Sequence, residues 1–153
     1  METLISLADW LKNGWLIDHQ TSRQEIQHLF RLADRDLADC RNLTLSADWQ
    51  FNIAYNVALQ CAKAALAAAG FRAAKDAHHY RVIQSLKFTL GTEDRIIQKL
   101  DAFRKKRNIS EYDHAGAITA VELNEMIVLA GNLRKSVEAW IVAEFPSLVE
   151  DGK

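Results

Sequence analysis

A chain of 153 residues is long enough for one domain with a substantial core, and a hydrophobic share of 49% argues against intrinsic disorder. The formal net charge of −1 gives no global attraction to nucleic acid or to an acidic membrane, so any nucleic-acid site has to be a local basic patch. One Pro and six Gly leave room for long uninterrupted helices, while no apolar run reaches the roughly 18 residues that a membrane-spanning helix needs.

Leu4, Ile5, Leu7, Ala8 and Leu11 recur at helical spacing and predict a short amphipathic helix over 3–12, ended by Asn13-Gly14. Trp10 and Trp15 are expected to cover the edge of the core, with an aromatic binding site as the functional alternative. Ser22-Arg23-Gln24-Glu25 has capping-box spacing and predicts a helix over 23–41. Ile26, Leu29, Phe30, Ala33 and Leu37 form its apolar face, and Arg31, Asp34, Arg35, Asp36 and Arg41 read as a solvated outer face.

Ser46 is placed to cap a long helix, with Asp48 in its first turn and Gly70 as its stop. The Ala-rich run 62–69 allows close approach of another helix. Asn52, Asn56 and Gln60 sit four apart and form a polar stripe, either a solvated edge or a face turned to a ligand or partner. Asp76 is the expected cap of a helix over 77–89, broken by Gly91. Thr92 is the expected cap of the next, with Glu93 and Asp94 in its first turn and Ile96, Ile97, Leu100 and Phe103 on its buried face. Arg104, Lys105, Lys106 and Arg107 form its expected last turn, Asn108 its stop, and Tyr112 and His114 are assigned to the following loop. Thr119 and Glu122 make a second capping box that opens a regular helix over 120–144, which Pro146 cannot continue. Cys40 and Cys61 lack the close spacing of a zinc or redox motif and are read as reduced, buried or half-buried residues.

These elements predict an all-α, up-and-down helical bundle of four to five main helices, one domain over 1–153 with its core at about 23–144. With Glu2 and Asp9 near the start and no charged-then-apolar leader pattern, a cytoplasmic location without membrane attachment is expected.

The run Arg104-Lys105-Lys106-Arg107 carries the candidate chemistry. Cations in a last turn offset the helix dipole, and a solvated helix end accounts for some of them; four in succession exceed that need and repel one another. An arginine grips a phosphate through two parallel hydrogen bonds, and a histidine moves a proton near neutral pH. Arg107, Asn108 and His114, with Tyr112 beside them, are therefore the candidate catalytic residues, and Arg104, Lys105 and Lys106 candidate nucleic-acid contacts. His19, His28, His78, His79 and His114 include no i, i+4 pair, so neither a bound metal nor a cofactor is expected.

Two stretches resemble the HEPN family, small helical domains of prokaryotic toxin–antitoxin and defence systems. Ala54-Tyr55-Asn56-Val57-Ala58-Leu59-Gln60-Cys61-Ala62-Lys63-Ala64-Ala65-Leu66 is similar to that family's long second helix. Arg107-Asn108 with the residues up to His114 is similar to its ribonuclease motif of an Arg, a polar residue, a short spacer and a His, and His79-Tyr80-Arg81-Val82-Ile83 looks like the start of its next helix. The resemblance covers about residues 23–143. It implies a helical bundle that pairs as a homodimer, with a metal-independent site made where the motifs of two subunits meet and RNA as substrate. Arg107 would hold the scissile phosphate, Asn108 orient it, and the histidine handle the 2′-hydroxyl or leaving-group proton. The apolar supply of the last helix and the Ala-rich middle helix also point to a dimer. Tyr112 stands where the family often has the histidine, and a phenol that titrates near 10 is a poor base, so His114 serves only with a six-residue spacer. The alternative is a non-catalytic HEPN module that binds nucleotide, RNA or an antitoxin partner of nucleotidyltransferase type.

Overall fold

The computed structural model describes residues 6–112 and 118–149, with the backbone alone for 108–112. It is an all-α helical bundle with one small strand pair. The helices are α1 (Leu7–Lys12), α2 (Arg23–Asp39), α3 (Ala47–Ala68), α4 (His78–Gln84), α5 (Leu86–Thr89), α6 (Asp94–Tyr112) and α7 (Ala120–Glu144), and a 3-10 turn follows at Pro146–Leu148. Among the described residues no helix is long and apolar enough to cross a membrane.

α3 is the axis of the bundle. Ser46 Oγ accepts a hydrogen bond from Trp49 N (3.2 Å) at its start, and Gly70, at φ +99°, turns the chain away after its end. It packs against α2, α7, α6, α4 and α5. Ala54, Ala58, Ala62, Ala65 and Ala68 are all buried, so their small side chains serve packing within the chain. This removes one of the two grounds for expecting a dimer, because the Ala-rich stretch is already covered. Phe51 of α3 meets Phe103 of α6 edge to face with centroids 5.3 Å apart, and cutting either ring back to Ala costs about 3–5 kcal/mol.

α2 begins where Ser22 Oγ accepts from Glu25 N (3.1 Å). Asp36, expected on its solvated face, is buried instead: Gln60 Nε2 donates to its Oδ2 (3.1 Å) and Arg35 Nε to its Oδ1 (3.0 Å). The stripe of Asn52, Asn56 and Gln60 therefore does not form a solvated edge; Asn52 is buried, and Gln60 reaches across to α2. α7 has the expected bounds and a complete capping box between Thr119 and Glu122.

Three expectations need correcting. The helix predicted over 77–89 is broken at Ser85, whose buried hydroxyl donates back to the Val82 carbonyl (2.6 Å). Its start is set by Ala77 in the left-handed region (φ 52°), with no side-chain cap from Asp76. Second, α6 does not end at Arg107: Asn108 through Tyr112 continue it, since this segment has neither Gly nor Pro and Asn is only mildly unfavourable inside a helix. Third, residues 16–18 and 71–73 pair as antiparallel strands β1 (Leu16–Asp18) and β2 (Phe71–Ala73), with Leu16 opposite Ala73 and Asp18 opposite Phe71. Three residues are too few to show a strand period in the sequence. The ladder is extended by His19 N to Gly70 O and Ala74 N to Trp15 O, both 2.9 Å.

Candidate functional site

The cationic run lies within α6, and the helix periodicity sends its members in different directions. Arg104 Nε donates to Asp101 Oδ1 (2.9 Å), and Lys105 Nζ lies 3.5 Å from Asp101 Oδ2. Lys106 reaches Glu122 on α7 (3.1 Å), the same carboxylate that closes the capping box. These three cations are each matched by an acid, which lowers their availability to an incoming phosphate.

Arg107 differs. Its guanidinium lies over the Tyr55 ring, 5.2 Å from the centroid, and its Nε is buried with no hydrogen-bond partner among the described residues. No described carboxylate forms an ion pair with it. Tyr55 is fully buried on α3, and its hydroxyl also lacks a described partner. Burial pushes that phenol up to about 12, against the nearby charges of Arg107 and Arg104, so it stays a neutral donor at neutral pH.

α4 completes the face. Its exposed Tyr80 stacks under Arg104, 5.5 Å from guanidinium carbon to ring centroid. His79 is pushed down to about 4, first by burial and then by the charges of His78, Arg107, Lys63 and Arg104. It is therefore a neutral imidazole at pH 7, able both to donate and to accept a hydrogen bond. A polyanion arriving here would offset the repulsion that keeps its proton off.

The structure thus brings Arg104 and Arg107 together with Tyr55, His79 and Tyr80, and turns Lys105 and Lys106 to acidic partners. Asn108 and Tyr112 are helical rather than in a loop; His114 lies outside the described residues. No spacing rule joins α3, α4 and α6, which is why Tyr55 and His79 do not emerge from the sequence as site residues. The pairing of Asp101 with Arg104 and Lys105 was visible in principle, since residues three and four apart are neighbours on a helix. Among the described residues, no group of three or more His, Cys, Asp or Glu is placed to hold a metal ion. No protein-family profile, curated protein or solved structure matches the chain.

Proposed function

We propose that the chain is a HEPN-type module that binds RNA through its phosphodiester backbone at the face of α3, α4 and α6. The observation that carries this reading is Arg107, a fixed cation seated on an aromatic ring with no described carboxylate to neutralise it. The two stretches that resemble the HEPN family, with the helix start at His79-Tyr80, supply Arg107 and the buried Tyr55 beneath it, Tyr80 under Arg104, and His79, which feels the charge of both arginines. Convergence of separate motif segments supports a shared site more than any one of them does.

Metal-independent cleavage is the second reading, favoured by the neutral imidazole of His79 beside Arg107. In it the 2′-hydroxyl attacks phosphorus, a histidine takes its proton, Arg107 stabilises the extra negative charge, and the 5′-oxygen leaves with a proton from a second acid. His114 or His79 would be the base, and a homodimer would supply the second group. Val121 and Val128 are exposed one heptad apart on α7, a small apolar patch that a second copy could cover, with exposed Lys135 at the next heptad position before Val142.

Single-stranded RNA is incubated with the chain in chelator, and binding and cleavage are read separately. Arg107→Gln should weaken binding at least about tenfold, or about 1.4 kcal/mol. Equal binding by wild type and Arg107→Gln overturns the site. Cleavage lost in His79→Gln or His114→Ala while binding persists supports the second reading; binding without cleavage in the wild type leaves the non-catalytic module. Sedimentation at micromolar concentration decides between monomer and dimer.

A further inference from the structure

A second site lies on the other side of the His78-His79 pair, in a pocket of about 260 Å³ between α2, α3, α4 and the strand pair. We propose that this pocket binds a small organic carboxylate with an apolar body. The reading is independent of RNA binding, since it concerns a different cavity and a different ligand.

The pocket has two kinds of wall. Leu29, Leu66, Phe71 and Val82 give an apolar lining. Lys63, Arg72, His78, His28 and His19 supply the polar part, with Lys63 the half-buried cation and Arg72 an exposed one at the rim. The acid in the wall, Glu25, is already engaged: His19 Nε2 lies 2.7 Å and Thr21 Oγ1 2.6 Å from its Oε1. Burial works to raise its pKa, but the bonds from Thr21 and His19 outweigh that and hold the carboxyl below its usual range.

Lys63 has no such match. It is half-buried on α3, burial lowers its pKa, and no described carboxylate pairs with it. His78 Nε2 is buried and has no hydrogen-bond partner among the described residues. A half-buried ammonium with no described acid beside it favours an anionic head group in this pocket, and the apolar wall favours a carbon body behind it. A volume of about 260 Å³ is enough for a ring or a short alkyl chain with its carboxylate. An inorganic anion would meet the charge and leave the apolar wall unused; an apolar amine would meet the wall and be repelled by Lys63. Only the combination uses every surface that the pocket offers.

Hexanoate and benzoate are titrated into the full chain at pH 7 and followed by amide NMR, with hexylamine and inorganic phosphate as controls. The expected result is saturable binding of hexanoate or benzoate with Kd of roughly 1 mM or tighter and shifts confined to α2, α3, α4 and the strand pair. Hexylamine and phosphate should bind at least about tenfold more weakly. Lys63→Met should reduce carboxylate binding about tenfold, whereas Lys63→Arg, which keeps the charge, should retain most of it. Circular dichroism confirms that each variant is folded, and if Lys63→Met does not fold, His78→Phe gives the same test. No saturation by either carboxylate, phosphate binding as tight as hexanoate, or unchanged affinity in a folded Lys63→Met overturns the proposal. RNA binding by Arg107 is measured on the same variants, so failure of one site is separable from failure of the other.

Discussion

Arg134 and Arg107 sit alike and are treated differently. Each guanidinium covers an aromatic ring of a neighbouring helix, Arg134 over Phe30 at 4.1 Å and Arg107 over Tyr55 at 5.2 Å. Around Arg134 the charge is answered twice. Its Nε and Nη2 donate to the two oxygens of Asp34 at 2.8 and 3.1 Å, and Nη1 donates to Glu138. Around Arg107 no described carboxylate answers it, and the hydroxyl of the ring beneath is itself unsatisfied. A countered arginine joins α2 to α7 as part of the fold. An arginine held in the same posture with no described acid beside it is the better placed to meet an incoming anion, and that difference separates a structural cation from a candidate ligand site.

The largest effect expected from this contrast is on stability. Arg134→Met strands two carboxylates and unlinks α2 from α7; because Asp34 and Glu138 are more than half exposed, the loss should be about 2 kcal/mol by urea denaturation rather than the larger cost of a fully buried pair. Arg107→Met should change stability by no more than about 0.5 kcal/mol, since the lost ring contact is offset by removal of a buried unsatisfied nitrogen. Equal losses in the two variants would make Arg107 structural and dissolve the comparison.

A pH series sharpens it next. His79 titrates at about 4 in the folded chain against an ordinary value of 6.5. Between those values the unfolded chain binds a proton that the folded chain rejects, so stability is full above pH 6.5 and falls as the pH is lowered toward 4. His78 is also lowered, by burial and by Lys63, and adds in the same direction. The urea midpoint should therefore drop between pH 7 and 5, and His79→Gln should flatten much of that drop. An unchanged slope in His79→Gln would mean that neither burial nor the neighbouring cations hold the proton off this imidazole.

A further test concerns the ring under Arg107. Tyr55→Phe removes a hydroxyl that is buried without a described partner, and should raise stability by about 1 kcal/mol. A loss of similar size would show that the hydroxyl is well satisfied in solution, and would weaken the case for a group waiting on a ligand.

Much of the fold was legible because its signals are local. Thr119, Glu122 and Pro146 bracket α7, and Ser46 and Gly70 bracket α3, each through a bond or a backbone preference within a few residues. Misread features depend on contacts across the chain. Asp36 looks solvated until Gln60, twenty-four residues on, is placed against it. Ser85 looks like helix interior until its hydroxyl is seen to bond backward in a buried site. The strand pair needs partners on opposite sides of α2 and α3. At the candidate site the cations themselves were readable, while their sorting into matched and unmatched ones was readable only where Asp101 lies three and four residues away. The pairing of Lys106 with Glu122 and the seat of Arg107 on Tyr55 require the tertiary structure.

The short β1–β2 ladder clasps the two ends of the α2–α3 hairpin. Two strands of three residues have no independent stability in water, so this clasp persists only while the hairpin holds its ends in register. Its amide protons thus serve as a gauge built into the backbone: exchange with solvent deuterium at Ile17, His19 and Ala74 reads the docking of α2 on α3 rather than any strength of the strands themselves.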